Sequence, residues 1–208
     1  IVAQQDPAYP DNALNGMSNG VESDNDVKGV SYSPITRPVI SNMTMIGANS
    51  TTNVHQGAGI DCRSSSRMVI VNSIITGFST SALLLEGPNT AYSLANGNSE
   101  FKNNLVFGIT KSYSVKNTTP TYSDDIALMS AAELFGNKTL TTVNDAGIID
   151  PFNQTNPNFL LKSDSQARTG SIFTGFGNFF IQVAYKGAFD NENWTAGWTN
   201  FNPQTTTY

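Results

Sequence analysis

Three stretches of the chain repeat one pattern and decide the fold: Ile40-Ser41-Asn42-Met43-Thr44-Met45-Ile46-Gly47, Ile70-Val71-Asn72-Ser73-Ile74-Ile75-Thr76-Gly77 and Phe101-Lys102-Asn103-Asn104-Leu105-Val106-Phe107-Gly108. Each contains an apolar residue, any residue, an Asn, a short run of strand-forming residues and a Gly. The Asn recurs after 30 and then 31 residues. Short strands that return at such an interval, separated by polar loops, are typical of a solenoid. We therefore predict an all-β chain folded as a parallel β-helix.

The repeated Asn and Gly have physical roles in such a fold. An Asn that points inward at a bend can hydrogen-bond the backbone of the neighbouring coil and the Asn above or below it, so that buried polar groups are satisfied. The Gly permits the positive φ that a tight corner often needs. Residues 68–71 and 81–85 are apolar runs too short for helices, and we predict strands there. An antiparallel sandwich with coincidental Asn and Gly turns is the alternative fold.

The second half of the chain has a different character. Ser130 with Glu133 three residues later resembles a capping box, and Gly136 is a natural stop, so we predict one short helix there. The Pro- and Asn-rich residues 150–159 are predicted to lack regular structure. The tail is rich in aromatic residues, and we expect it to cap the solenoid or to run as a strap along one face. The predicted division is 1–115 for the coils and 116–208 for an irregular segment and cap packed on the same solenoid.

Composition excludes several functional classes. Charged residues make up 13% of the chain and the net charge is −5, so there is no basic surplus for binding a nucleic-acid backbone. No apolar run approaches the roughly 18 residues that a membrane-spanning helix needs. Cys62 has no partner for an internal disulfide, and one Cys with one His cannot assemble a zinc site alone. We expect His55 to be an ordinary exposed loop residue.

Several segments resemble one family of secreted Bacteroidota proteins. The likeness is carried by residues 20–26, 38–47 and 71–77 and by two C-terminal blocks, Ala184-Tyr185-Lys186-Gly187-Ala188-Phe189 and Trp194-Thr195-Ala196-Gly197-Trp198-Thr199-Asn200-Phe201. The resemblance implies a right-handed parallel β-helix of the pectin-lyase-like type, extracellular or at the outer-membrane surface of a Gram-negative bacterium. It also implies that this chain is a C-terminal portion, with further coils before the abrupt apolar start at Ile1. Most members of the family have no assigned activity.

A dense acidic group is the first candidate site. Three carboxylates and an amide lie within five residues, and their oxygens are the hard ligands that Ca²⁺ prefers. No cofactor is required by the sequence, and Ca²⁺ is the one that it suggests. A solvated loop between two coils is the alternative interpretation. The predicted metal ligands are Glu22, Asp24, Asn25 and Asp26.

Catalytic constellations are harder to find. Lyases of the β-helix type abstract a proton with a basic residue beside Ca²⁺, and the basic residues available are Arg37, Arg63, Arg67 and Lys102. An Arg is essentially always protonated, so surface pairing of Arg63 with Asp61 or Glu86 is the favoured interpretation. For hydrolysis two carboxylates about 5–10 Å apart are needed. The sequence offers Asp61 with Glu86, or the adjacent Asp124 and Asp125, and neither pair stands out.

The aromatic residues of the last third admit two interpretations. They can form the core of an end cap, which we favour, or a flat strip that stacks on sugar rings. They are Phe176, Phe179, Phe180, Tyr185, Phe189, Trp194, Trp198 and Phe201.

The sequence therefore favours a non-catalytic extracellular or cell-surface β-helix protein, a scaffold or binding module. The expected partners are another surface protein or the missing N-terminal coils, and a glycan is a candidate ligand. Such a chain could also be one subunit of a surface assembly. The alternative is a Ca²⁺-dependent, lyase-like enzyme acting on acidic polysaccharides. An acid-lined groove along one sheet, with a basic residue at its centre, would distinguish the enzyme from the scaffold.

Overall fold

The computed structural model describes residues 2–4, 18–30, 32–52, 56–201, 203 and 206–207, so the prediction for His55 lies outside the described residues. In chain order the strands are β1 (Val2–Gln4), β2 (Val21–Ser23), β3 (Val39–Ser41), β4 (Thr44–Ile46), β5 (Ile60–Cys62), β6 (Val69–Val71), β7 (Ile74–Phe78), β8 (Ser81–Glu86), β9 (Glu100–Lys102), β10 (Leu105–Gly108), β11 (Lys111–Lys116), β12 (Lys138–Thr139), β13 (Ile148–Asp150) and β14 (Asn158–Leu161). The helices are α1 (Pro88–Ala95) and α2 (Asp125–Leu134), with 3₁₀ turns at Val143–Ala146 and Gln166–Arg168.

Three parallel sheets are visited in a fixed rotation. The first sheet has the order β1-β4-β7-β10-β12, the second β2-β5-β8-β11 and the third β3-β6-β9. The chain passes from the third sheet to the first and then to the second, and repeats this path through β3–β5, β6–β8 and β9–β11. All pairings within these sheets are parallel, which excludes the antiparallel sandwich. The predicted mostly-β, parallel-stranded architecture is confirmed, while its right-handedness stays a prediction.

The repeated Asn residues form the turn between the third and the first sheet. Asn42, Asn72 and Asn103 have φ values of 55°, 53° and 57°, the left-handed region that Asn tolerates better than most residues. The predicted bond between stacked Asn side chains is confirmed, since Asn103 Nδ2 donates to Asn72 Oδ1 over 2.8 Å. The predicted bonds to the neighbouring coil's backbone are wrong for these side chains. Their amides donate instead to carbonyls of the C-terminal segment, at Tyr185 (2.6 Å), Ile172 (2.9 Å) and Gly170 (2.7 Å).

The position after the repeated Asn takes over the bonds to the neighbouring coil. Asn104 Oδ1 accepts from the backbone N–H of Ser73 over 2.8 Å, and Asn104 Nδ2 donates to the carbonyl of Ile70 over 3.1 Å. The closing glycines also differ from expectation. Gly77 alone of the three has a positive φ, 77°. At Gly47 and Gly108 glycine is required because a side chain would collide with the backbone of Gly77 and of Lys111.

Apolar residues from all three sheets meet in one core. Ile70 of the third sheet, Ile75 of the first and Leu83 of the second are almost fully buried in one cluster. The opposite face of the first sheet is also covered. There Ile74 packs in a second cluster with Phe159 and other residues of the C-terminal half. Strand β7 of the first sheet is thus buried on both faces, which is typical of parallel sheets.

The helix prediction is partly wrong. Asp124 is the N-cap of α2, since its Oδ1 accepts from the backbone N–H of Ala127 over 2.8 Å. Ser130 lies inside this helix and is not its cap, because Asp124 supplies a capping side chain six residues earlier. Gly136 follows the helix end with a φ of 80°, as a stop residue would. Helix α1, which begins at Pro88, was not predicted.

The C-terminal residues run as a strap across the turn asparagines. The backbone N–H of Gly187 donates to the carbonyl of Asn72 over 2.8 Å, and that of Ala188 to Thr44 Oγ1 over 2.9 Å. Residues 151–157 are irregular as predicted, but β13 and β14 pair antiparallel on either side of them. Strand β12, beyond residue 115, still pairs with β10. A cap over the open end stays a prediction.

Candidate functional site

A charged groove of about 570 Å³ lies along the second sheet. Side chains of this sheet alternate between the core and the groove. Val21, Ile60 and Leu83 are register partners whose side chains reach the core. The next residue of each strand points to the opposite face, because side chains alternate along a strand. The residues that line the groove are Asn19, Glu22, Gly57, Ala58, Asp61, Arg63, Thr80, Ser81, Leu84, Glu86, Ser114, Val115 and Lys116.

Asp61 is the buried carboxyl of the groove. The residue is only 2% exposed. Its Oδ2 lies 3.5 Å from Asn19 Nδ2 and 3.8 Å from an Arg63 nitrogen, whereas its Oδ1 is buried with no hydrogen-bond partner among the described residues. Burial is the largest cause of a rise in the pKa of Asp61 to about 6, and the charges of Glu86, Glu22 and Asp24 add to it. Arg63 opposes this rise without cancelling it.

Arg63 is the cation at the centre of the acidic group. Its Nε donates to Asp24 Oδ1 over 3.0 Å and its Nη2 to Glu22 Oε2 over 3.2 Å. The predicted pairing of Arg63 with Asp61 is present at 3.8 Å, but Asp61 is buried and not at the surface as predicted. Burial lowers the pKa of Arg63, but the three carboxylates outweigh it and the net shift is upward. The ion pairs therefore stabilise the protonated form of Arg63, which disfavours a role as proton abstractor.

A second ion pair and an amide complete the groove. Lys116 and Glu86 are register partners, and Lys116 Nζ contacts Glu86 Oε1 at 3.1 Å. Asn19 Nδ2 donates to Glu22 Oε1 over 2.7 Å, while Asn19 Oδ1 accepts from the backbone N–H of Ala58 over 2.7 Å. Neither Asn19 nor Lys116 was singled out from the sequence. Lys116 stands out only when β11 is aligned in register with β8, and Asn19 lies before β2, outside any strand.

The four predicted calcium ligands do not converge. Glu22 and Asp24 are bound by Arg63. Asn25 Oδ1 accepts from the backbone of Thr36 over 2.7 Å, and Asp26 Oδ2 accepts from Lys28 N over 2.7 Å, so both close their own loop. In the part of the chain that the structure describes, no three His, Cys, Asp or Glu side chains are grouped to hold a metal ion. Ca²⁺ binding by Glu22, Asp24, Asn25 and Asp26 stays a prediction from the sequence.

The other candidate residues lie away from the groove. Arg37 and Lys102 both pair with Glu100 on the third sheet, at 3.5 and 2.8 Å. The backbone N–H of Arg67 donates to the carbonyl of Thr36 over 2.9 Å, and its buried Nε has no partner among the described residues. Asp124 caps α2, and Asp125 contacts Lys111 at 2.6 Å, so this pair is structural. Burial raises the pKa of the Cys62 thiol to about 12 and removes it as a nucleophile.

The aromatic tail is divided between packing and exposure. Phe189 is buried against Phe159 and stacks on Trp194 with 5.0 Å between ring centroids, which agrees with a packing role. Trp198 and Phe179 are 69% and 87% exposed. The indole N–H of Trp198 donates to the carbonyl of Trp194, so its ring is fixed. None of these rings lines the groove on the second sheet.

Comparison with known proteins agrees with the parallel architecture. A family model described as a pectate-lyase-like β-helix domain matches residues 5–199. No curated protein and no solved structure matches the chain. No helix among the described residues is long and apolar enough to cross a membrane.

Proposed function

We propose that this chain, which belongs to the pectate-lyase-like β-helix domain family, binds a polysaccharide in the charged groove and cleaves it with Asp61 as proton donor. The burial of Asp61 in the groove, in register with Glu22 on the neighbouring strand, is the observation that carries the proposal. A carboxyl whose pKa is raised to about 6 keeps its proton in mildly acidic solution, and such a group can protonate a leaving oxygen.

A second carboxylate stands beside the proton donor. Glu22 and Asp61 are register partners on neighbouring parallel strands, which are about 4.8 Å apart. Asn19 and Arg63 hydrogen-bond the two oxygens of Glu22 and orient them. Glycoside hydrolysis requires a carboxylic acid paired with a carboxylate at about 5–10 Å. In this proposal Glu22 is the carboxylate that acts on the sugar carbon or on a water beside it.

The shape of the groove suits a polymer. It extends over four parallel strands, β2, β5, β8 and β11, or about 14 Å across the sheet. Its lining also offers hydroxyl groups at Thr80 and Ser114. A site of this length and polarity can contact more than one sugar unit.

A binding role without catalysis is the second candidate, and the ion pairs favour it. Arg63 and Lys116 are both engaged by carboxylates of the same face. A ladder of paired charges can also be a solvated surface of a scaffold. Under either candidate we propose that the protein works outside the cell or at the outer-membrane surface, where polymeric glycans are found. A partner protein or further coils at the surface belong to the same proposal.

The test is a depolymerisation screen with acidic, neutral and amino-bearing polysaccharides, followed through new reducing ends. The wild type is compared with Asp61→Asn and with Asp150→Asn, a control whose exposed carboxylate contacts only the Asn153 amide among the described residues. We expect Asp61→Asn to lose about 100-fold or more of the activity and Asp150→Asn to keep it. Full activity of Asp61→Asn would contradict the proposal, and glycan binding without cleavage in the wild type would favour the scaffold.

A further inference from the structure

We infer that the exposed indole of Trp198 is a second glycan-binding site, separate from the groove, and that it takes a neutral chain of flat, glucose-like sugars. The inference does not rest on cleavage by Asp61, because none of the residues that carry it lines the groove. It comes from a fixed stack of aromatic rings and from the uncharged cleft beside that stack.

Trp198 ends a stack of three aromatic rings. Phe189 stacks on Trp194 with 5.0 Å between ring centroids and 10° between ring planes, and Trp194 stacks on Trp198 at 6.1 Å and 26°. The exposed fraction rises along the stack, from 2% at Phe189 to 38% at Trp194 and 69% at Trp198. No further ring of the described residues packs on Trp198. The last indole therefore presents an open aromatic face to solvent.

Backbone carbonyls fix the orientation of both indoles. Trp194 Nε1 donates to the carbonyl of Ala188 over 2.8 Å, and Trp198 Nε1 donates to the carbonyl of Trp194 over 2.6 Å. Ala188 belongs to the strap, and its backbone N–H donates to Thr44 Oγ1 of the first sheet over 2.9 Å. A ring that is already held loses little conformational freedom when a ligand packs on it. Trp198 is therefore a preorganised platform.

The size of the apolar surface favours a sugar over a protein partner. Trp194 and Trp198 are the only large apolar side chains that are exposed among the described residues beyond Ile181. Their exposed neighbours include Asn193 and Ala196. A stable protein interface buries about 800 Å² on each partner, which two indoles in polar surroundings do not provide. One indole face does match one sugar ring, because the C–H groups on a flat sugar face are weakly positive and the aromatic face is negative.

An uncharged cleft of about 550 Å³ adjoins the platform. Gly197 and Thr199, the two chain neighbours of Trp198, line it together with polar residues such as Asn156 and Asn200. Amide and hydroxyl groups can both donate and accept hydrogen bonds, as sugar hydroxyls require. The described lining contains no Asp, Glu, Lys or Arg, and residues 193–208 carry no charge. A uronate or sulfated sugar would find no cation here, so the cleft suits a neutral chain.

Tryptophan fluorescence tests the platform directly, because Trp194 and Trp198 are the only two Trp residues of the chain. The titrated protein is Asp61→Asn, so that cleavage in the groove does not consume the probe. The probes are the β-1,4-linked glucose hexamer and the β-1,4-linked glucuronate hexamer. We expect the glucose hexamer to shift the emission and to protect it from acrylamide quenching. The glucuronate hexamer should bind at least about fivefold more weakly at low salt, since the chain has a net charge of −5.

A variant connects this binding to the indole. Calorimetry compares Asp61→Asn with the same protein carrying Trp198→Ala as well. The binding event that matches the fluorescence curve should weaken by about tenfold or more, because the stacking face is lost. Tyr92→Ala in the same background is the matched control, since it removes a ring of α1 that is 63% exposed and should leave the affinity unchanged. Circular dichroism checks that each variant is folded.

Three results would overturn the inference: an emission unchanged by the glucose hexamer, equal affinities with and without Trp198→Ala, or glucuronate bound as tightly as glucose. These results are independent of the proposed function. Asp61-dependent cleavage combined with full affinity in Trp198→Ala would remove only the second site. Binding that depends on Trp198, without cleavage of any polysaccharide by the wild type, would uphold the second site and contradict the proposed catalysis.

Discussion

Glu22 and Asp61 share one amide. They are register partners on β2 and β5, and Asn19 Nδ2 lies 2.7 Å from Glu22 Oε1 and 3.5 Å from Asp61 Oδ2. Arg63 contacts the same two side chains, Glu22 through Nη2 and Asp61 through Nη1. Two carboxyl groups of different environment are thereby held side by side, one half-exposed and ion-paired and the other buried.

The first prediction concerns stability against pH. Burial and the neighbouring Glu86 raise the pKa of Asp61 from 3.8 to about 6, so the folded state binds its proton more tightly than the unfolded chain does. The free energy of unfolding therefore falls as pH rises from about 4 to 6, by about 3 kcal/mol for a shift of two pKa units. Urea unfolding between pH 4 and pH 7 should show this loss in the wild type relative to Asp61→Asn. Parallel pH curves for the two proteins would refute it.

Removing Arg63 should raise the pKa of Asp61 further. Arg63 is the one neighbour that lowers this pKa, while Glu86, Glu22 and Asp24 raise it. We expect ¹³C NMR titration of the Arg63→Met variant to give a pKa above 6 for the Asp61 carboxyl. Arg37→Met is the matched control, because Arg37 pairs with Glu100 on the third sheet and should leave Asp61 unchanged. An unchanged or lower pKa in Arg63→Met would be inconsistent with the described ion pairs.

Asn19→Ala should reduce activity more than stability. The variant loses the bond that orients Glu22 and the bond to the backbone N–H of Ala58. Misplacement of a reacting group costs about 10- to 100-fold in rate, whereas one hydrogen bond contributes about 1 kcal/mol to stability. Reducing-end assays and thermal unfolding measure the two effects. The exposed Asn98→Ala is the control, and equal activities of the two variants would argue against a positioning role for Asn19.

Asn72 should be a critical position for the strap. It has a φ of 53°, donates to the carbonyl of Ile172 and accepts from the backbone N–H of Ile172. Asn72→Ala loses these bonds and strains the left-handed turn, for a total cost of about 2–4 kcal/mol. Asn72→Gly keeps the turn conformation and should cost about 1 kcal/mol less. Chemical denaturation compares the variants, and equal losses would show that the backbone conformation is not limiting.

The sequence predicts the coils well and the site only in part. The Asn residues at 42, 72 and 103 fix the period, and the structure stacks them in register. The sequence alone suggests Asp61 and Glu86 as a carboxylate pair. It does not predict that Asp61 is buried, because the burial depends on neighbouring strands in register and on Asn19, which is distant in the chain. Helix α1 was missed although Pro88 at its first position is a recognised start signal. The strap was ambiguous because it is held largely through its own backbone N–H and carbonyl groups, which every sequence carries.

The pH dependence of kcat/KM for glycan cleavage tests the central claim, that Asp61 donates the proton. We predict a rate that falls above about pH 6 in the wild type, because Asp61 must be protonated to act and its pKa is raised to about 6. In Asp61→Asn this limb should be absent and the residual rate low. A wild-type rate that shows no such limb, or a limb that persists unchanged in Asp61→Asn, would contradict the assignment of Asp61 as the proton donor.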